Sequence, residues 1–296
     1  MKDQAERLRE LMAKEISNDK LTTTKTKAKV LAITSGKGGV GKTNFAVNLA
    51  ISMRRLGYEV LILDADIGLS NVEILVGINT RYNITDLITK DVSIHEIIGE
   101  GPEGIKIISG GSGFYELSTM NTENIKKILK EFKKLETIMD FIIIDTGAGV
   151  SNMVLDFIIT ADEVILVTTP DPTSMMDGYT MIKALTMKEY EGKLNIVANI
   201  VNNRIEAENL FYKLNQVSKT FLKVNLRFLG YLEKSKVVNK AVISQEPFLM
   251  SSPRSIISKR MNTMALNLTN SCDTIEVDRK TSFTQRLKNF ILRRGD

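Results

Sequence analysis

The chain has 296 residues, 43% of them apolar, with 40 basic and 35 acidic side chains for a formal net charge of +5. That size suits one large α/β domain with appendages or two small ones, and no uninterrupted apolar run approaches the roughly 18 residues of a membrane span. A single cysteine, Cys272, excludes an internal disulfide and suits a cytosolic setting; a single histidine, His95, excludes a histidine-cluster metal site and a Ser-His-Asp triad.

In chain order, the start Met1-Lys2-Asp3-Gln4-Ala5-Glu6-Arg7 is charged and lacks a signal-peptide core. Residues 1–17 read as a short helix, with Asp3 as N-cap and Ala5, Leu8, Leu11 and Met12 as one apolar stripe. A polar tether, Thr22 to Lys27, separates it from the main body. From about Ala28 to Leu268, strand-like runs at Lys29–Thr34, Glu59–Asp64, Ile105–Ser109, Asp140–Asp145, Glu163–Thr168, Leu194–Ile200 and Arg227–Tyr231 alternate with helical patterns. The helical patterns include Thr122–Leu135, Met175–Tyr190 and Glu208–Phe221. Continuous Val/Ile/Leu runs are expected of strands covered on both faces, and the alternation predicts an α/β, doubly wound, mostly parallel sheet. Residues 270–280 form a second linker, and 281–296 a last helix. The expected boundaries are therefore 1–27, 28–269, 270–280 and 281–296.

Ser35-Gly36-Lys37-Gly38-Gly39-Val40-Gly41-Lys42-Thr43 matches G-x-x-x-x-G-K-[ST] between an apolar strand and a helical pattern, the context of a phosphate-binding loop. Its glycines turn backbone N–H groups inward around phosphate oxygens, and the helix N-terminus adds its positive end. Lys42 is expected to neutralise the β- and γ-phosphates, and the Thr43 hydroxyl to hold Mg²⁺. Phe141-Ile142-Ile143-Ile144-Asp145 is an apolar strand ending in a carboxylate, the Walker B arrangement, which brings Asp145 to the same sheet edge as a second Mg²⁺ ligand. Thr146-Gly147-Ala148-Gly149 follows as a loop able to rearrange beside a γ-phosphate. Asp64 and Asp66 also reach that edge. Asp66 suits positioning of an attacking water and Asp64 support of the Mg²⁺ shell, although strand-end carboxylates also serve as helix caps.

Lys37, near the start of the loop, resembles the signature lysine of the deviant Walker A ATPases, the family of MinD, ParA/Soj and the nitrogenase iron protein. The resemblance implies ATP as nucleotide and an ATP-dependent homodimer in which Lys37 reaches the partner's phosphates, acting as an arginine finger does. The runs Gly41 to Phe45, Asp64 to Asn71, Ile144 to Gly149 and Thr169 to Ser174 are most similar to the FlhG (YlxH/FleN) group, MinD-like ATPases of flagellar placement. Asn199 matches the family position whose amide reads adenine, with Asn202 close enough to be the alternative. Gly230-Tyr231-Leu232-Glu233 departs from the pattern, since relatives usually carry proline at Leu232.

Asp3-Gln4-Ala5-Glu6-Arg7-Leu8-Arg9 is similar to the group's N-terminal element. The resemblance implies that it docks on the signal-recognition-type GTPase FlhF, with Gln4 near the GTP site and Leu8 on the contact face. A helix docked on its own domain is the alternative. At the other end, Phe283, Leu287, Phe290 and Ile291 fall on one helical face flanked by Arg286, Lys288, Arg293 and Arg294, as in an in-plane membrane-surface helix. The expectation is a cytoplasmic protein, peripheral on the inner membrane face when ATP-bound, with no obligate nucleic acid and with flagellar switch components as further partners. Rival readings are a MinD-type division-site ATPase and a ParA-like DNA-partitioning module.

Overall fold

The computed structural model describes residues 27–66, 71–110, 122–273 and 282–292, with residues 122, 271–273 and 289–292 described by backbone alone. Gln4 and Leu8 lie outside the described residues, as do the side chains of Phe290 and Ile291.

The elements that place the site are β1 (Lys29–Thr34), α1 (Lys42–Arg55), β2 (Val60–Ala65), α2 (Asn71–Val76), β3 (Gly99–Glu100), β4 (Lys106–Ser109), α3 (Thr122–Ile138) and β5 (Phe141–Thr146). They continue with α4 (Asn152–Ile158), β6 (Glu163–Thr168), α5 (Pro172–Met187), β7 (Lys193–Val201), α6 (Arg204–Val217), β8 (Arg227–Glu233), α7 (Lys236–Ile243), α8 (Ile256–Asp273) and α9 (Phe283–Leu292). One eight-stranded sheet runs in the order β3-β4-β2-β5-β1-β6-β7-β8. All neighbours are parallel except the two-residue β3, which pairs antiparallel with β4.

Every residue of β1, β2, β5 and β6 is buried, because helices cover both faces of the sheet. Along β1, Val30 and Ala32 enter the core shared with α3–α6, whereas Leu31 and Ile33 enter the core shared with α1 and α8. Strand pleating thus sends one continuous apolar run into two layers. β1 lies between β5 and β6; the crossover from β1 runs towards β2, and that from β5 runs the other way, to β6. A ligand crevice forms at the carboxyl edge of such a switch point.

One boundary differs: the linker set to begin at 270 is still helix, since α8 runs through Asp273. In the C-terminal helix Phe283 and Leu287 are 2% and 1% exposed, inside the core shared with α3.

Candidate nucleotide site

The glycine-rich loop joins β1 to α1 at the centre of the carboxyl edge. Gly41 caps α1 at φ 87°, a left-handed conformation open to glycine at little cost, and its carbonyl accepts the Phe45 N–H at 2.9 Å. A Cβ at Gly36 would stand 2.2 Å from the Asp177 carbonyl carbon, whereas one at Gly38 or Gly39 would meet none of the described atoms within 4 Å. The loop is therefore pressed against α5 at its start and open to a cleft at its tip. Ser35 Oγ donates to the Lys37 carbonyl at 2.9 Å, and the Gly149 N–H donates to the Ser35 carbonyl at 3.0 Å. The second contact ties the loop after β5 to the phosphate loop.

The two lysines have different surroundings. Lys42 Nζ lies 3.0 Å from Asp145 Oδ1, with the lysine side chain 8% exposed and the aspartate fully buried. Burial pushes the Asp145 carboxyl upward, opposed by Lys42 and the Thr43 hydroxyl. Asp145 Oδ2 is buried with no hydrogen-bond partner among the described residues. A buried oxygen left unsatisfied calls for a ligand such as a cation or its water. Lys37, by contrast, stands at the mouth, 45% exposed, donating to Asp171 Oδ2 at 2.7 Å and Thr173 Oγ1 at 2.8 Å. Asp171 caps α5 by accepting the Thr173 N–H at 3.2 Å, with Pro172 opening the helix, and Lys37 holds its carboxyl below the ordinary range. The run Thr169 to Ser174 carries this role of Asp171 without displaying it. The Asp-Pro pair that marks a helix start was the available signal.

Asp64 is in register with Asp145 on the adjacent strand. Burial and then the neighbouring Asp145 raise its pKa to about 7, against the backbone N–H groups of Val72 and Asp66, which its two oxygens accept at 3.2 Å each. In this conformation Asp64 therefore accepts from the first turn of α2, as a helix-capping carboxylate does. Asp66 accepts from Asn71 Nδ2 at 2.9 Å and faces the loop after β5, since a Cβ at Gly147 would lie 3.1 Å from its Oδ1. Asp66, Lys42, Thr43 and Ala148 line one cleft of about 420 Å³ beside the loop. On the other side of the loop, a cleft of about 400 Å³ is lined by Lys37, Gly39, Asp171, Asn202, Glu206 and Lys234.

Asn199 does not face that second cleft with a free amide. Its Nδ2 donates to the Val40 carbonyl at 2.7 Å and its Oδ1 accepts the Ile200 N–H at 2.9 Å, so in this conformation it braces the phosphate loop. Asn202, the alternative, lines the cleft.

The inward-facing glycine loop, the buried lysine, the orphaned carboxylate oxygen and Thr43 fit a nucleotide polyphosphate with its divalent cation. Fold and site together define a P-loop nucleotide-binding protein with a second, outward lysine. A family model described as ParA, NUBPL iron-transfer P-loop NTPase, matches residues 26–269, and the chain belongs to this ParA family. Among relatives, it is 35% identical to the antiactivator FleN of Pseudomonas aeruginosa over 80% of this chain and 84% of that one. It is 34% identical to the flagellum site-determining protein YlxH of Helicobacter pylori, over 98% of this chain and all of the other. Among solved structures, MinD of Pyrococcus horikoshii with Mg-ADP superposes with a TM-score of 0.66 at 20% identity, covering 83% of this chain and 97% of that one. The cell-division ATPase MinD of Pyrococcus furiosus gives 0.65 at 20%, covering 82% and 99%. At those identities the structural likeness carries the fold alone.

Proposed function

We propose that this chain is an ATP-hydrolysing switch that dimerises on ATP and regulates flagellum placement and number. The names of FleN and YlxH support the flagellar setting. The observation that carries the switch is the separation of the two lysines. Lys42 is buried on Asp145, while Lys37 is held outward by Asp171 and Thr173. A cation at the mouth of its own site supports a role in the site of a second copy.

Within one copy, Lys42 would counter the β- and γ-phosphate charge, Thr43 and Asp145 would hold the cation with Asp64 behind them, and Asp66 would orient the attacking water. A cation held there would supply neutralisation of charge on the transferred phosphoryl oxygens. Gly147 to Gly149 follow the occupancy of that end through their tie to Ser35. The N-terminal segment, through Gln4 and Leu8, stimulates FlhF, and the C-terminal helix carries the ATP-bound dimer to the inner membrane surface. Among the described residues no helix is long and apolar enough to cross a membrane.

Lys42→Ala should weaken ATP binding by about 100-fold or more, since it removes a buried counter-charge. Lys37→Ala should leave binding by the monomer within about threefold of wild type and abolish both dimerisation and hydrolysis. Calorimetry and light scattering on the same samples separate the two variants. Equal loss of ATP binding in both would refute the cross-dimer role of Lys37.

A further inference from the structure

Asp66 follows β2 directly. A lone aspartate there would turn easily about its last side-chain torsion, which is broad for an sp³–sp² bond. Two neighbours remove that freedom. Asn71, the first residue of α2, donates from Nδ2 to Asp66 Oδ2 at 2.9 Å. On the other side the loop after β5 approaches Oδ1, since a Cβ at Gly147 would stand 3.1 Å from it and 3.9 Å from Asp66 Cγ. Gly147 is itself fixed: its carbonyl accepts the Thr146 hydroxyl at 3.0 Å, and that hydroxyl also reaches the Ile33 carbonyl at 3.1 Å. The two oxygens of Asp66 therefore differ. One is spent on Asn71, and the other faces the loop that borders the cleft with Lys42 and Thr43.

Asn71 is a fixed donor because its helix is anchored. Val72 and Val76 enter the core shared with α1, and the Val72 N–H donates to Asp64 Oδ2 at 3.2 Å. Glu73, buried on the same helix, accepts both the Thr80 N–H, at 3.0 Å, and the Thr80 hydroxyl. Asn71 is half-buried and lines the same cleft as Asp66. An asparagine that only capped a helix would use its oxygen to accept from the following turn. Here its nitrogen is turned to a carboxylate, a charge-assisted and directional bond.

We propose that Asn71 is a positioning residue for ATP hydrolysis: its amide holds Asp66 Oδ2, so that Oδ1 is the oxygen presented to the attacking water. Asn71 acts through Asp66, so this role rests on the water-orienting reading of Asp66 given above. Without the amide the carboxylate samples other orientations and meets the water correctly only part of the time. Nucleotide binding and pairing of copies use Lys42 and Lys37 instead and are spared.

Full-length Asn71→Ala and Asn71→Asp, each alone and combined with Asp66→Ala, test this. Single-turnover hydrolysis of ATP with Mg²⁺ is measured beside KM, calorimetry and light scattering. Asn71→Ala should slow turnover about tenfold or more. KM and ATP affinity should stay within about twofold of wild type, with the ATP-dependent dimer still formed. Asn71→Asp should be slower still, because it keeps the size but sets a second carboxylate against Asp66. A packing role would make this near-isosteric change the milder one. On the Asp66→Ala background, Asn71→Ala should add less than about twofold. Wild-type turnover in Asn71→Ala beside a slow Asp66→Ala overturns the role of Asn71 and leaves that of Asp66. Normal turnover in Asp66→Ala removes both. A full further loss in the double variant, or Asn71→Asp faster than Asn71→Ala, shows that Asn71 does not act through Asp66 and overturns the proposal. Loss of ATP binding in both Asn71 variants does the same, by assigning the residue to the build of the site.

Discussion

Asn199 illustrates how one side chain can serve two chemistries. It ends a strand beside the nucleotide cleft, yet both of its amide groups are committed, one to Val40 and one to Ile200. Ile200 has φ 57°, a left-handed conformation that costs a β-branched residue energy, so the Asn199 bond to its N–H stabilises an otherwise unfavourable turn. Asn199→Ala should weaken ATP and GTP binding alike, by about five- to tenfold, because the loop that holds any polyphosphate loses its brace. Calorimetry with both nucleotides decides the matter: a loss confined to ATP would restore the base-reading role and remove the brace. Asp66 belongs to the same scale. Its carboxylate is positioned by Asn71 in the cleft shared with Lys42 and Thr43. Asp66→Ala should bind ATP, persist as a dimer and lose at least about 100-fold in turnover. Normal turnover in that variant would refute its role in orienting water.

At the scale of elements, the edge of the sheet opposite the nucleotide is joined by a buried ionic cluster. Lys29 on β1 meets Glu163 on β6 at 2.8 Å, with side chains 6% and 4% exposed, while Lys193 and Asn195 on β7 approach the same carboxylate. Three adjacent strands thus share one anion. Burial by itself would raise Glu163, but Lys29, then Asn195 and Lys193, hold its carboxyl below the ordinary glutamate range. Because the folded value is the lower one, this stabilisation is complete above the unfolded value near 4.5 and is lost as pH falls through the folded value. Glu163→Gln should cost about 3 kcal/mol at pH 7 by leaving buried Lys29 unpaired. It should also flatten the acid limb of the stability profile. Urea unfolding at pH 7 and below pH 4.5 measures both effects, and an unchanged acid limb would exclude Glu163 as its source.

For the whole molecule, the nucleotide end and the helix-binding end lie on opposite edges of one parallel sheet. Signals between them must pass along strands or helices rather than through direct contact. In the chain, residues 1–26 precede β1. A peptide of residues 1–20 should therefore stimulate GTP hydrolysis by the cognate FlhF without the ATPase domain. Gln4→Ala should remove most of the stimulation with binding changed less than about threefold, and Leu8→Asp should weaken binding itself by putting a charge on the apolar face. Single-turnover GTPase assays at saturating peptide measure this. No stimulation by the wild-type peptide would end the assignment.

Much of this arrangement is legible along the chain because it is written in contiguous residues. Seven strands show as apolar runs, β1 and β6 with their observed ends, since burial on both faces leaves no polar alternation to blur them. The phosphate loop is equally plain, because tight turns around phosphate demand glycines at set intervals. β3 was not legible: two residues, Gly99 and Glu100, carry no periodicity, and only pairing with β4 makes them a strand. The continuation of α8 to Asp273 was masked by a polar composition that reads as linker. An amphipathic pattern names an apolar face without naming what covers it. Phe283 and Leu287 could face a bilayer or α3 with the same spacing, and the docking on Phe132, Glu136 and Asp162 appears only once distant segments are brought together. The chemistry of each side chain was thus determined by the sequence alone. Which groups are spent on one another, Asn199 on Val40, Lys37 on Asp171 and Arg286 on Asp162, was decided by the tertiary structure, because those bonds join residues more than a hundred positions apart.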